Sequence, residues 1–179
     1  IIDAIEAFVT GGLQSHDVDR VLATVMFTDV VGSTEQITAL GDRRWKQLLA
    51  SHDTLIRGEL ARYRGRAVKT TGDGFLATFD GPGRAVRCAC AIRDQLRRLG
   101  IQIRIGLHTG EVERRGEDII GIAVNIAQRI QSVARPGDVL ASSTVRDLTA
   151  GSGIRFDDRG EHHLKGMTGT SLLFAVQPQ

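Results

Sequence analysis

A Gly-Asp-Gly turn at residues 72–74 is the feature that most restricts how this chain can fold. It separates two short runs of β-forming residues, 66–71 and 75–79. An Asp-Gly pair between such runs is a strong hairpin signal, because both residues tolerate the positive φ angles of a tight turn. The sequence therefore predicts two adjacent antiparallel strands, around which the other elements must pack.

Helical and strand patterns flank this hairpin on both sides. Apolar residues recur at helical spacing over residues 43–62 and 85–99, and Pro82 suits the start of the second helix. Strand-like runs precede the first helix and follow the second, over residues 21–29 and 101–108. The order β-α-β-β-α-β predicts the mixed α/β (α+β) class. Its core is ferredoxin-like, an antiparallel sheet with helices on one face.

The rest of the chain predicts additions at both ends of this core. A C-terminal α/β extension is predicted as a β-arm, a helix and a strand, over residues 111–120, 122–133 and 139–142. Short helical and strand segments follow and end on the apolar run 171–176. Residues 1–20 predict a linker helix that ends an upstream domain, because their apolar residues form one helical stripe before a Gly-Gly pair. Since the sequence begins with Ile1, we interpret it as part of a longer chain with a globular domain over residues 21–179.

The composition argues against several classes of protein. The chain has 179 residues and is 41% hydrophobic, which suits one domain with a substantial core. Only 4% of residues are aromatic and the arginines are scattered, so a nucleic-acid-binding surface is not indicated. No apolar run approaches the roughly 20 residues of a membrane span. Cys88 and Cys90 lie two positions apart in a predicted helix, so they favour free thiols in a reducing, cytoplasmic compartment.

Two aspartates are candidate metal ligands. Asp29 ends the first predicted strand, and Asp73 lies at the tip of the hairpin. These strands are neighbours in a ferredoxin-like sheet, so both carboxylates can converge at one end of it. Mg²⁺ prefers a few carboxylates together with water and phosphate oxygens. Taken singly, each aspartate is better explained as a helix cap or a turn residue.

A second candidate cluster lies on the predicted helix over residues 122–133. Asn125 and Arg129 are four positions apart and share one face of that helix. Asparagine can orient a ribose, and arginine can meet the charge that builds on a phosphoryl group in a transition state. Taken alone, this pair also fits an ordinary solvent-exposed helix face.

Four segments that carry these residues occur in order along the chain: FTDVVGST, VKTTGDGF, RIGLHTGEV and EDIIGIAVNIAQR. Together they resemble the successive signature segments of class III nucleotidyl cyclase catalytic domains of the bacterial type. The resemblance covers nearly the whole chain, residues 21–176. It implies an adenylyl cyclase that converts ATP to cyclic AMP and pyrophosphate with two divalent cations, Mg²⁺ or Mn²⁺.

The resemblance also implies a role for each site residue. The implied set is Asp29, Asp73 and the carbonyl of Val30 for the cations, Lys69 and Asp118 for adenine, Asn125 for ribose, Arg129 for the transition state, and Arg104 and Lys165 for the phosphates.

The chemistry of Lys69 and Asp118 favours adenine over guanine. Lysine only donates hydrogen bonds and suits adenine N1, whereas aspartate accepts from the N6 amine. Guanine carries a hydrogen on N1 and a carbonyl at C6, so this pair would leave groups unpaired against GTP. The related guanylyl cyclases place glutamate and a small residue at these positions.

The resemblance further implies active sites shared by two chains. One chain supplies the metal ligands and the second supplies the adenine, ribose and transition-state residues, so this chain is expected to form a head-to-tail homodimer. A preceding regulatory or hydrolase-like domain is an expected partner.

Three alternative functions are considered: a guanylyl cyclase, a catalytically silent nucleotide-binding or dimerisation module, and a diguanylate cyclase. The sequence TGDGF at residues 71–75 lacks the turn that the last of these needs.

Overall fold

The computed structural model describes residues 19–178, and the predicted helix over residues 1–10 lies outside them. Eight strands and five helices follow one another along this part of the chain. In order they are β1 (Arg20–Val30), α1 (Ser33–Leu40), α2 (Asp42–Arg62), β2 (Arg66–Thr70), β3 (Phe75–Phe79), α3 (Pro82–Arg98), β4 (Ile103–Arg115), β5 (Asp118–Ile120), α4 (Ile122–Val133), β6 (Val139–Ser142), α5 (Ser143–Leu148), β7 (Phe156–His162) and β8 (Ser171–Val176).

The strands form one sheet with the order β2-β3-β1-β4-β6-β8-β7, and β5 pairs with β4. The first four strands in this order are antiparallel to their neighbours. They reproduce the predicted ferredoxin-like core, because β1 lies between the hairpin and β4. The C-terminal extension makes the sheet mixed, since β6 pairs with β4 in parallel.

Helices cover both faces of the sheet. Residues of α2 and α3 pack with Met26, Val30 and neighbouring strand residues on one face, as the ferredoxin-like core predicts. Helix α4, from the extension, packs on the other face against Ala23, Val25 and Phe27 of β1. Successive strand residues alternate between faces, so β1 supplies apolar residues to both cores. Among residues 19–178, no helix has the length and hydrophobicity needed to cross a membrane.

Strand β4 is longer than the sequence predicts. The predicted strand ends at His108 and a separate arm starts at Glu111, because a Thr-Gly pair lies between them. In the structure β4 is continuous from Ile103 to Arg115. Pairing with β1 continues through the Thr-Gly pair, from Val30 opposite Ile103 to Arg20 opposite Glu113, so the ladder compensates for the local glycine.

Gly106 allows α4 to approach the sheet closely. A Cβ atom at this position would lie 2.3 Å from the backbone nitrogen of Gln131 and 2.5 Å from the carbonyl oxygen of Ala127. Both neighbours are backbone atoms of α4, which cannot rotate away. The close approach of α4 to β4 therefore depends on having glycine, which has no side chain, at position 106.

We expect Gly106→Ala to lower the free energy of unfolding by about 1–3 kcal/mol, because the new methyl group forces α4 away from the sheet. Gly58→Ala is the matched control. Gly58 lies within α2, and a Cβ atom there would have no neighbour within 4 Å, so its replacement should stabilise by about 0.5–1 kcal/mol. Urea denaturation of both variants measures the two effects, and equal effects of the same sign would contradict the packing argument.

Candidate active site

Asp29 and Asp73 converge at the end of β1, as predicted. Asp29 is half-buried, and burial is the largest cause that raises its pKa above the usual value. The nearby Asp73 carboxylate raises this pKa further, by repulsion and hydrogen bonding, whereas the hydrogen bond from Arg104 lowers it. A cation bound beside Asp29 would stabilise the charged form of its carboxylate, which burial and the neighbouring Asp73 disfavour.

Arg104 directly contacts the Asp29 carboxylate. The two residues are paired across β1 and β4, and Arg104 Nη2 donates to Asp29 Oδ2 at 2.5 Å. The Nε atom of Arg104 is buried and has no hydrogen-bond partner among the described residues. The arginine predicted to bind phosphates therefore lies beside the predicted metal ligands.

The residues present fit a divalent cation that keeps open coordination positions. Asp29 and Asp73 would supply carboxylate oxygens, and the main-chain carbonyl of the neighbouring Val30 is the third expected ligand. Within residues 19–178 no group of three or more His, Cys, Asp or Glu residues is arranged to hold a metal. Two carboxylates without a third suit Mg²⁺ or Mn²⁺ shared with a phosphate-bearing substrate, and do not suit a closed structural metal site.

Lys69 and Asp118 form an ion pair, although they are 49 residues apart in sequence. Lys69 Nζ donates to Asp118 Oδ2 at 2.7 Å, and the two side chains are 49% and 44% exposed. The hydrogen bond from Lys69 is the main cause that lowers the pKa of Asp118, and the N–H of Ile119 adds to it. The predicted purine-selecting residues thus lie together at the surface as a charged donor and acceptor.

The metal and purine candidates share one face of the sheet. Phe27 and Leu76 belong to the apolar cluster under α4. Asp29 lies two positions after Phe27 on β1, and Lys69 lies opposite Leu76, so both project from this face. Arg104, opposite Asp29, does the same.

Asn125 and Arg129 lie on the helix that covers this same face. They are one turn apart on α4, with Asn125 exposed and Arg129 half-buried. The helix is held by its small apolar residues Ala123 and Ala127, which pack against β1. The predicted helix bounds and the shared placement of the two residues are therefore confirmed by the fold.

Lys165 lies apart from the other candidates. It is exposed in the loop between β7 and β8, next to the buried Leu164. Leu164 packs with Leu140 of β6 and Leu173 of β8, on the far side of α4 from β1. Within one chain, the structure does not bring Lys165 to the carboxylates.

Thr28 is a residue of the site that the sequence did not indicate. Its hydroxyl oxygen accepts the backbone N–H of Phe75 at 2.9 Å, which joins the end of β1 to the hairpin. A threonine in an apolar strand looks like an ordinary β-former, and only its place directly before Asp29 hinted at a role.

His108 is half-buried in β4 and makes a side-chain contact within the fold. Its Nδ1 atom lies 2.8 Å from the hydroxyl of Ser142. Burial lowers the pKa of His108 to about 4, so the ring is neutral at physiological pH.

Comparison with known proteins identifies what this arrangement is similar to. Residues 13–177 match a family model described as the adenylate and guanylate cyclase catalytic domain. The adenylyl cyclase CyaB from P. aeruginosa has a similar structure, with a TM-score of 0.83 and 25% identity over 90% of this chain and 96% of that one. A second is described as an adenylate/guanylate cyclase/hydrolase from Silicibacter pomeroyi, with a TM-score of 0.78 and 29% identity over 90% and 99% of the two chains.

This chain is also similar in sequence to a much longer bacterial protein. The Rhizobium meliloti protein named "Putative adenylate cyclase 3" is 29% identical over 176 residues, which is 93% of this chain and 30% of that protein. This chain thus spans less than a third of the length of that relative.

Proposed function

Since this chain belongs to the adenylate and guanylate cyclase catalytic domain family, we propose that it is an adenylyl cyclase that converts ATP to 3′,5′-cyclic AMP and pyrophosphate. The observation that carries the choice of ATP is the contact of 2.7 Å between Lys69 and Asp118. One donates and the other accepts, which matches N1 and the N6 amine of adenine. The same pair faces guanine with a donor against N1–H and an acceptor against the C6 carbonyl.

The proposed chemistry is attack of the ribose 3′ oxygen on the α-phosphorus of the same nucleotide. Two divalent cations, held by Asp29, Asp73 and the carbonyl of Val30, would lower the pKa of the 3′ hydroxyl and offset phosphate charge. Asn125 orients the ribose. Arg129 stabilises the charge that develops on the transferred phosphoryl group.

The triphosphate is bound by the remaining two basic residues. Arg104 lies within hydrogen-bonding distance of Asp29, which supports a contact with phosphates that share the proposed cations with the carboxylates. Lys165 is exposed on the other side of α4, and we propose that it reaches a site completed by a second chain. Together they hold the pyrophosphate leaving group.

A head-to-tail homodimer is the proposed assembly. The partly exposed Lys69–Asp118 pair and the half-buried Asp29 project from one sheet face, beside α4. A second copy that docks on this face would bring its own Lys69, Asp118, Asn125 and Arg129 to the metal carboxylates of the first.

We also propose a cytoplasmic setting, which the buried free thiols of Cys88 and Cys90 support.

The larger protein is proposed to contain a regulatory or hydrolase-like domain before this one. The chain covers 30% of one relative and 18% of the Myxococcus xanthus serine/threonine-protein kinase pkn2, so related domains occur within longer proteins. We propose that residues 1–20 form the linker and residues 21–179 the catalytic domain.

Incubation of the purified chain with ATP or GTP, in the presence of Mn²⁺ or Mg²⁺, tests the function. We expect cyclic AMP from ATP and far less cyclic GMP from GTP. Preferred production of cyclic GMP would indicate a guanylyl cyclase. A chain that binds ATP without turnover, with either metal and as a dimer, would be the silent regulatory module.

Reversal of the purine-recognition charges is a more specific test. We expect Lys69→Glu combined with Asp118→Cys to lower kcat/KM for ATP by about a hundredfold, because two polar groups on adenine lose their partners. The matched control is Arg66→Glu with Glu117→Cys, which changes a neighbouring ion pair of 3.5 Å at the surface. An unchanged preference for ATP in the first double variant, or an equal loss in the second, contradicts the assignment.

A further inference from the structure

Thr28 closes the junction between β1 and the hairpin. Backbone pairing of β1 with β3 ends where Phe27 lies opposite Leu76. At the next position the Thr28 hydroxyl, and not the main chain, accepts the N–H of Phe75 at 2.9 Å. Thr28 is 2% exposed and Phe75 is 1% exposed, so water cannot replace this bond. The side chain therefore continues the ladder by one step beyond the paired strands.

A second, independent contact holds the same junction. A Cβ atom at Gly74 would lie 1.9 Å from the carbonyl oxygen of Thr28. The hairpin tip is thus packed directly against the backbone of β1, with no space for a side chain between them. Thr28 makes both contacts, one through its hydroxyl and one through its carbonyl.

Each contact is adjacent in sequence to a metal-binding candidate. Asp29 follows Thr28, and Asp73 precedes Gly74. We propose that Thr28 is a positioning residue that sets the separation of the Asp29 and Asp73 carboxylates, and through it the affinity for the divalent cation. This inference rests on the metal site of the proposed function. The hydroxyl acts on the cation only through the backbone of the hairpin.

Thr24 offers a matched comparison on the same strand. Its hydroxyl lies 2.8 Å from that of Thr109, and Thr24 is 1% exposed, so this hydrogen bond is as deeply buried. Thr24 lies opposite Phe79, at the end of β3 that is remote from Asp73. Loss of this second bond should weaken the fold without moving the carboxylates.

The experiment titrates Mn²⁺ alone into the intact chain and follows free Mn²⁺ by electron paramagnetic resonance, with thermal unfolding measured in parallel. We expect Thr28→Val to bind Mn²⁺ about tenfold more weakly, because a buried N–H loses its partner and the hairpin moves. Thr28→Ser keeps the hydroxyl and should bind within about twofold of the unchanged chain. Thr24→Val should lose thermal stability but keep its Mn²⁺ affinity. If Thr28→Val does not fold, Thr28→Ala replaces it in the comparison with Thr28→Ser.

Asp29→Asn separates failure of this inference from failure of the proposed function. Loss of Mn²⁺ binding in Asp29→Asn with unchanged binding in Thr28→Val overturns the role of Thr28 and leaves the metal site intact. Equal weakening in Thr28→Val and Thr24→Val also overturns it, since the effect is then general destabilisation. Unchanged Mn²⁺ binding in Asp29→Asn refutes the metal site itself, and the role of Thr28 with it.

Discussion

An Asp73→Ala chain mixed with an Arg129→Ala chain should regain cyclase activity that neither chain shows alone. Asp73 holds the proposed cations and Arg129 stabilises the proposed transition state, so each single variant should be nearly inactive. If one site takes Asp73 from one chain and Arg129 from the other, a mixed dimer has one site with both defects and one with neither.

The expected yield follows from the symmetry of the dimer. Random pairing makes about half of the dimers mixed, and each mixed dimer has one intact site of two. About one quarter of the activity of the unsubstituted chain should therefore return, and about half of it if every dimer is mixed.

The control mixes two chains that both carry Asp73→Ala, distinguished by a tag, which should stay inactive although they exchange subunits. Subunit exchange in the test mixture is measured with the same tags. Exchange without recovery of activity would show that each chain contains a self-contained site, or that the active dimer has another geometry.

Replacement of either metal-binding aspartate should have the second largest effect. We expect Asp29→Ala and Asp73→Ala each to lower kcat by about a thousandfold or more, since the cations offset charge on both the attacking and leaving oxygens. Both positions are only half-buried at the end of the sheet, so the fold should persist. Circular dichroism and thermal unfolding verify the fold, and a cyclic AMP assay over a range of Mn²⁺ concentrations measures the loss.

Asp80→Ala is the matched control for these variants. Asp80 is an exposed aspartate just beyond the other end of β3, and its replacement should leave activity near that of the unchanged chain. Near-normal turnover of Asp29→Ala or Asp73→Ala at saturating Mn²⁺ would show that the carboxylate does not hold a required cation.

Local sequence patterns determined several elements to the residue. Strand β3, helix α4 and strand β6 have the predicted bounds, Phe75–Phe79, Ile122–Val133 and Val139–Ser142, and β8 coincides with the apolar run Ser171–Val176. Each is a short apolar or amphipathic segment bordered by glycine, proline or polar turn residues, so its limits depend on nearby residues alone. The Gly-Asp-Gly turn likewise determined the hairpin, although the positive φ, 82°, occurs at Gly72 and not at the predicted Asp-Gly pair. The backbone angles of a tight turn are a local property.

The tertiary structure alone decided how these elements meet. β4 runs through its Thr-Gly pair because β1 pairs with it on both sides of that pair. Helix α4 packs closely on β4 because Gly106 has no side chain. The contacts of the site join distant parts of the chain: Asp29 with Arg104 over 75 residues, Lys69 with Asp118 over 49, and Thr28 with Phe75 over 47. Residue types and signature segments indicated which side chains matter. Their distances and partners depend on packing between strands and helices that are far apart in sequence, and local backbone preference carries no information about such pairings.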